Sequence, residues 1–124
     1  MTNKEMRPSS LIIDVPKWVL RTLNNLYDIE RKLAVHGDSG NVSRNVAQIK
    51  DAFTEGLHLF YEDPSGQTFS ETRTDLEATI AGSGTENLKV VEVIKPIIRY
   101  GEPASSRVVQ KGVVIVKEST HEEA

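Results

Sequence analysis

The sequence contains no cysteine, which excludes a disulfide framework, a thiolate nucleophile and a thiolate-held zinc or iron–sulfur centre. No apolar run approaches the roughly 18 residues that a membrane span requires. The first residues, Met1-Thr2-Asn3-Lys4-Glu5-Met6-Arg7, lack the apolar stretch of a secretory leader. The expectation is a soluble, cytoplasmic protein with no membrane partner. Charge of one sign is missing as well: 15 basic against 18 acidic residues give a net charge of −3, which argues against a dedicated nucleic-acid binder. What the chain does have is 124 residues, 38% of them hydrophobic, enough for one folded domain, or for one domain with a short helical appendage. Disorder is expected only at the ends, over residues 1–10 and 118–124.

From Leu11 to about Ala34 the apolar residues recur at helical spacing. Val19, Leu23, Leu26 and Leu33 form a stripe that Trp18, Tyr27 and Ile29 widen. Pro16 is tolerable in a first helical turn, and Asp14 before it is a candidate cap, so this helix should begin near residue 14. His36-Gly37-Asp38-Ser39-Gly40-Asn41 is a turn cluster able to reverse the chain. A second helix, from Val42 to Tyr61, carries Val42, Val46, Ile49, Phe53, Leu57 and Phe60 in a near-heptad seam. The pair should pack antiparallel over residues 11–63, with Trp18, Leu23, Leu26, Val46, Ile49, Phe53, Leu57 and Phe60 at the seam. The apolar surface left over suits a homodimer built as a four-helix arrangement.

Asp63-Pro64-Ser65-Gly66 ends the helical half. Beyond it the period falls to two: Leu76, Ala78 and Ile80 alternate with polar neighbours, and Gly82-Ser83-Gly84 makes a turn. Leu88–Ile94 and Val108–Val116 are rich in valine and isoleucine, and Ile97-Ile98-Arg99-Tyr100 adds a short strand between them. Residues 64–117 therefore read as a small all-β domain. The fold class expected is α+β, an antiparallel helix pair followed by a small all-β domain.

Pocket chemistry is not visible in the sequence. His36, His58 and His121 fall in a turn, on a helix flank and in the tail, without the i, i+4 spacing that puts two imidazoles on one metal. Gly37-Asp38-Ser39-Gly40 and Gly82-Ser83-Gly84 lack the Gly-Lys-Ser/Thr ending of a phosphate loop, and the first is one residue short of a Gly-x-Ser-x-Gly elbow. Neither a metal nor a cofactor is expected, and the chain is not expected to be an enzyme. Charge does stand out between Lys89 and Lys117, where Lys89, Lys95, Arg99, Arg107, Lys111 and Lys117 face only Glu92 and Glu102. Such a stretch can steer an acidic partner, or it can keep exposed β edges from pairing.

The order of parts resembles the GrpE family, the nucleotide exchange factors of DnaK-type chaperones, over residues 11–117. The two helices are similar to that family's short helix pair. Asp63-Pro64-Ser65-Gly66-Gln67-Thr68-Phe69 resembles its Asp-Pro-x-Gly-x-x-Phe entry to the β-domain. Val90-Val91-Glu92-Val93, Arg107-Val108-Val109 and Val113-Val114-Ile115-Val116 resemble its closing strands. Only ten residues, Pro8 among them, precede Leu11, so no counterpart of the family's long N-terminal helix is expected here, and Gln110, Lys111 and Gly112 stand where its Arg-Pro-Ala run would be. The resemblance implies a homodimeric co-chaperone of the stress response that binds a DnaK-type chaperone and promotes nucleotide release. Its implied contact residues are Arg107, Gln110 and Lys111, to which local charge adds Arg99. The alternative is a divergent scaffold or protein-interaction module that keeps the fold without exchange activity.

Overall fold

The computed structural model describes residues 14–119. The expectation for residues 1–10, the helical stretch before Asp14, and His121 lie outside them. The order of elements is α1 (Lys17–His36), α2 (Val42–Leu57), β1 (Leu59–Glu62), β2 (Leu76–Ala81), β3 (Leu88–Lys95), β4 (Ile97–Tyr100), β5 (Arg107–Gln110) and β6 (Gly112–Glu118). A helix pair followed by two three-stranded sheets is the α+β arrangement expected. No helix among the described residues is long and apolar enough to cross a membrane.

The helix boundaries differ from the expectation at both ends. α1 starts at Lys17 with Pro16 as its cap, and no side chain caps it, so Asp14 does not play that part. The cap that forms is at the second helix: both carboxylate oxygens of Asp38 accept backbone N–H bonds, from Val42 at 2.6 Å and Ser43 at 2.9 Å. Gly37 takes the positive φ of +94° that the turn needs, and its N–H closes on the Leu33 carbonyl. α2 stops at Leu57, not Tyr61, because His58 adopts a left-handed conformation with φ 57° and its N–H returns to the Thr54 carbonyl. That conformation costs a non-glycine residue about 1 kcal/mol. It frees Leu59–Glu62 to become a strand, so the change from helix to sheet falls at His58, five residues before Asp63.

The strands form two sheets, β1–β4–β5 and β2–β6–β3. β1 runs antiparallel to β4, β4 antiparallel to β5, and β3 antiparallel to β6; β2 lies parallel to β6. The valine-rich stretch from Val108 to Val116 is thus two strands in different sheets, divided at Lys111. The chain changes sheet at Pro96 in the same way, between β3 and β4. At the end of the chain β6 continues to Glu118 and the Ser119 N–H bonds to the Asn87 carbonyl. The frayed tail therefore does not begin at residue 118.

Alternation along β4 joins two apolar clusters. Ile97 belongs to a cluster made from the inward face of the second sheet, with Leu76, Leu88, Val90, Val93, Val114 and Val116, and with Tyr27 from α1. Ile98 belongs to the other, where Val19, Leu23 and Leu26 of α1 and Val46 of α2 meet Leu59 of β1. Both isoleucines are 0% exposed. The first sheet is therefore a middle layer, with helices on one side and the second sheet on the other, and burying each such side chain stabilises the fold by roughly 1.5–3 kcal/mol.

The Asp-Pro-x-Gly segment docks this layered body at its side. Asp63 Oδ1 accepts hydrogen bonds from the Ser65 N–H and hydroxyl and from the Tyr27 hydroxyl. Pro64 is buried, and Gly66, at φ +77°, points its N–H to the Val90 carbonyl. The Phe69 N–H then reaches Leu88, so the segment covers the first half of the β3 edge.

Candidate functional site

The four residues expected to face a partner divide into two pairs. Arg99 is held inward, its side chain 21% exposed. Nε donates to Glu62 Oε1 at 2.8 Å and Nη2 to Asp75 Oδ2 at 3.0 Å. Arg73 grips the same Asp75 with two bonds, Nε to Oδ1 at 3.0 Å and Nη2 to Oδ2 at 2.9 Å, and its Nη1 holds Gln67 Oε1 and the Thr68 carbonyl. The hydrogen bonds from Arg73 outweigh burial and, with the charge of Arg99, hold the Asp75 carboxyl below its usual range. This network pins the 63–75 loop to the middle sheet, and Arg99 is spent in it.

Gln110 is also committed inside. Its Nε2 donates to Asn24 Oδ1 at 2.9 Å and to the Pro96 carbonyl at 3.0 Å, and Asn24 Nδ2 returns a bond to its Oε1 at 3.2 Å. One amide thereby joins α1 to both points at which the chain changes sheet. Arg107, opening β5 opposite Tyr100, and Lys111, between β5 and β6, do lie on the surface. Of the four, Arg107 and Lys111 are exposed, whereas the side chains of Arg99 and Gln110 are engaged within the fold.

The seam residues divide as well. Val46, Leu23 and Leu26 are buried between the helices and β1, and Phe53 packs half-buried against them. Trp18 at 62%, Ile49 at 43% and Leu57 at 45% remain exposed, together with Val35 at 71%. Phe60 is no helix-seam residue at all. It sits in β1 opposite Arg99, on the side of the middle sheet turned away from the helices. Trp18 and Leu57 border an apolar groove of about 320 Å³, completed by Val15, Val19, Leu59 and Tyr100.

A second concavity of about 250 Å³ lies where α1, α2 and β1 meet. Tyr61 donates to Glu30 Oε1 at 2.6 Å, and Lys50 Nζ lies 3.2 Å from that oxygen and 4.7 Å from the centre of the Tyr61 ring. The Tyr27 ring meets Tyr61 edge-on at 5.8 Å. Burial, reinforced by Glu30, pushes the Tyr61 hydroxyl far up, and burial with Asp63 raises that of Tyr27. Each hydroxyl thus stays protonated and already donates to a carboxylate. Among the described residues no group of three or more His, Asp or Glu side chains is placed to hold a metal ion.

The bases that keep no ion pair among the described residues are instructive. Lys89, Lys95, Lys111 and Lys117 are all exposed, and none makes a salt bridge. The charge excess of their stretch was visible in the sequence, but register was needed to see that Lys89 and Lys117 face each other across the β3–β6 pair. Comparison with protein-family models, curated proteins and solved structures finds no match to the chain.

Proposed function

We propose that the protein is a GrpE-like co-chaperone that binds a DnaK-type chaperone in the cytoplasm and promotes nucleotide release without catalysing covalent chemistry. The observation that carries this reading is the order of architecture: a helix pair, then an Asp-Pro-x-Gly segment docked on a two-sheet β body. That is the arrangement the resemblance implies for residues 11–117. An exchange factor acts by binding the open state of its partner better than the nucleotide-closed state, and a rigid β body held by Arg73, Asp75, Arg99 and Gln110 suits such a wedge. The exposed Trp18, Ile49 and Leu57 support the accompanying homodimer.

A second reading is a scaffold with this fold and no exchange activity. It is favoured by the inward commitment of Arg99 and Gln110, two of the four expected contact residues. Stopped-flow release of a fluorescent nucleotide from the DnaK-type chaperone of the same source separates the two. Faster release on adding the protein is expected; an unchanged rate at saturating protein, with binding detected, would establish the scaffold instead.

A further inference from the structure

The outward face of the second sheet combines exposed apolar side chains with an unrelieved charge conflict. Register fixes its rows across β2, β6 and β3. The first row is Ala81, Lys117 and Lys89; the second is Thr79, Ile115 and Glu92; the third is Glu77, Val113 and Lys95. β3 carries two register shifts, between Val90 and Glu92 and between Val93 and Lys95. Each inserts one extra residue, and those residues are Val91 and Ile94. The shifts keep Val90 and Val93 in the core while leaving Val91 58% and Ile94 55% exposed. Beside them Val113 and Ile115 are half-buried, giving an apolar centre on the face.

At one end of this centre Lys89 and Lys117 stand directly opposite one another, a spacing at which like charges destabilise a strand pair. No carboxylate among the described residues pairs with either. Edge protection accounts for Lys89 on the edge strand β3 but not for a second lysine opposite it on the interior strand β6. A local conflict kept within an otherwise consistent fold marks a surface shaped for something outside it. The two carboxylates of the face, Glu77 and Glu92, lie in the other rows, so the positive charge is concentrated at one end.

We infer that this face docks an acidic protein surface, whose carboxylates settle between Lys89 and Lys117 while its apolar residues cover Val91, Ile94 and Ile115. A net charge of −3 on the whole chain opposes approach to an extended anionic plane such as a bilayer, but not to a local acidic patch. The inference deepens the exchange-factor reading and rests on it for the partner, the DnaK-type chaperone.

The test is Lys89→Glu, which turns the repulsive pair into an attractive one. Thermal stability is expected to stay equal or rise, while association with the immobilised chaperone slows about tenfold or more in about 50 mM salt. Arg44→Glu on α2 makes the same change of charge away from the face and should leave the rate alone. Val91→Ser with Ile94→Ser should speed dissociation with the fold intact by circular dichroism. If wild type binds and accelerates nucleotide release but Lys89→Glu does so equally well, the face is not the docking surface and the exchange-factor reading stands. If wild type neither binds the chaperone nor alters release, that reading falls and this assignment with it. Binding instead to phosphatidylserine vesicles, lost in Lys89→Glu, would reassign the face to a membrane.

Discussion

The seven-residue strand β6 buries Gly112, Val114 and Val116, whereas the sixteen-residue helix α2 buries Val46 alone. The difference teaches where the molecule is closed. β6 has a strand on each side and a full apolar cluster behind it, so its inward face is covered within one copy. α2 touches α1 and β1 along a narrow line, and Val42, Ile49 and Leu57 remain outside it. The cluster behind β6 is closed; the helix pair has a wider apolar stripe than the rest of the chain covers.

The comparison breaks most severely at β4, which belongs to both regions. Ile97→Ala and Ile98→Ala should each cost about 3 kcal/mol, the first opening the sheet cluster and the second the helix cluster. Because the two side chains are neighbours on one strand, urea unfolding followed by Trp18 fluorescence and by far-ultraviolet circular dichroism should remain a single coincident transition in both variants. Separate transitions in Ile98→Ala would show that the helix pair and the β body are energetically independent.

Gly112→Ala sharpens the β side. A methyl group there would lie 2.8 Å from Leu76 Cδ2 and 2.9 Å from Ile97 Cγ1, closer than packed carbons approach. Crowding of this kind should cost about 1–2 kcal/mol, read as a lower urea midpoint with an unchanged slope. Neither atom belongs to the helices, so the helical signal should be lost only with the whole fold.

Acid titrates the loop that fastens the β body. The folded value for Asp75 is depressed by Arg73 and Arg99 relative to the ordinary 3.8. Its contribution is therefore fully present above that value and is lost as pH falls below it, through the depressed folded value. Asp75→Asn should remove about 1 kcal/mol at neutral pH and flatten that part of the acid limb, measured by thermal unfolding across the range.

The smallest effect on stability should come from the helix side. Trp18→Ser with Leu57→Ser removes exposed apolar surface, and the monomer should lose no more than about 0.5 kcal/mol. Self-association should weaken about tenfold, measured by sedimentation. Wild type remaining a 13.8 kDa species at about 100 µM would show instead that the open stripe serves no second copy.

The sequence made the helix pair legible because Val19, Leu23 and Leu26 keep one period over many turns, and the strands legible where Leu76, Ala78 and Ile80 alternate. β1 was hidden because Leu57, Phe60 and Tyr61 continue the helical spacing, and only the left-handed backbone at His58 breaks it. A glycine there would have signalled the stop; a histidine does not. The division at Lys111 was hidden for another reason: Val108 to Val116 is apolar enough for one strand, and which sheet each half joins depends on pairings with distant residues. Arg99 and Gln110 show the same limit at the candidate site. Their charge and polarity are local properties, but Glu62, Asp75 and Asn24 are brought to them only by the fold.

The parallel alignment of β2 with β6 also says something about time. Leu76 pairs with Gly112 and Ala81 with Lys117, so this ladder cannot form until the chain between them has turned through three other strands. β4 and β5, by contrast, are antiparallel neighbours joined across residues 101–106, a far shorter closure. Long-range parallel pairing brings a late entropic barrier. During refolding β2 should gain hydrogen-exchange protection after β4 and β5, and until then one backbone edge of β6 lies open to other chains.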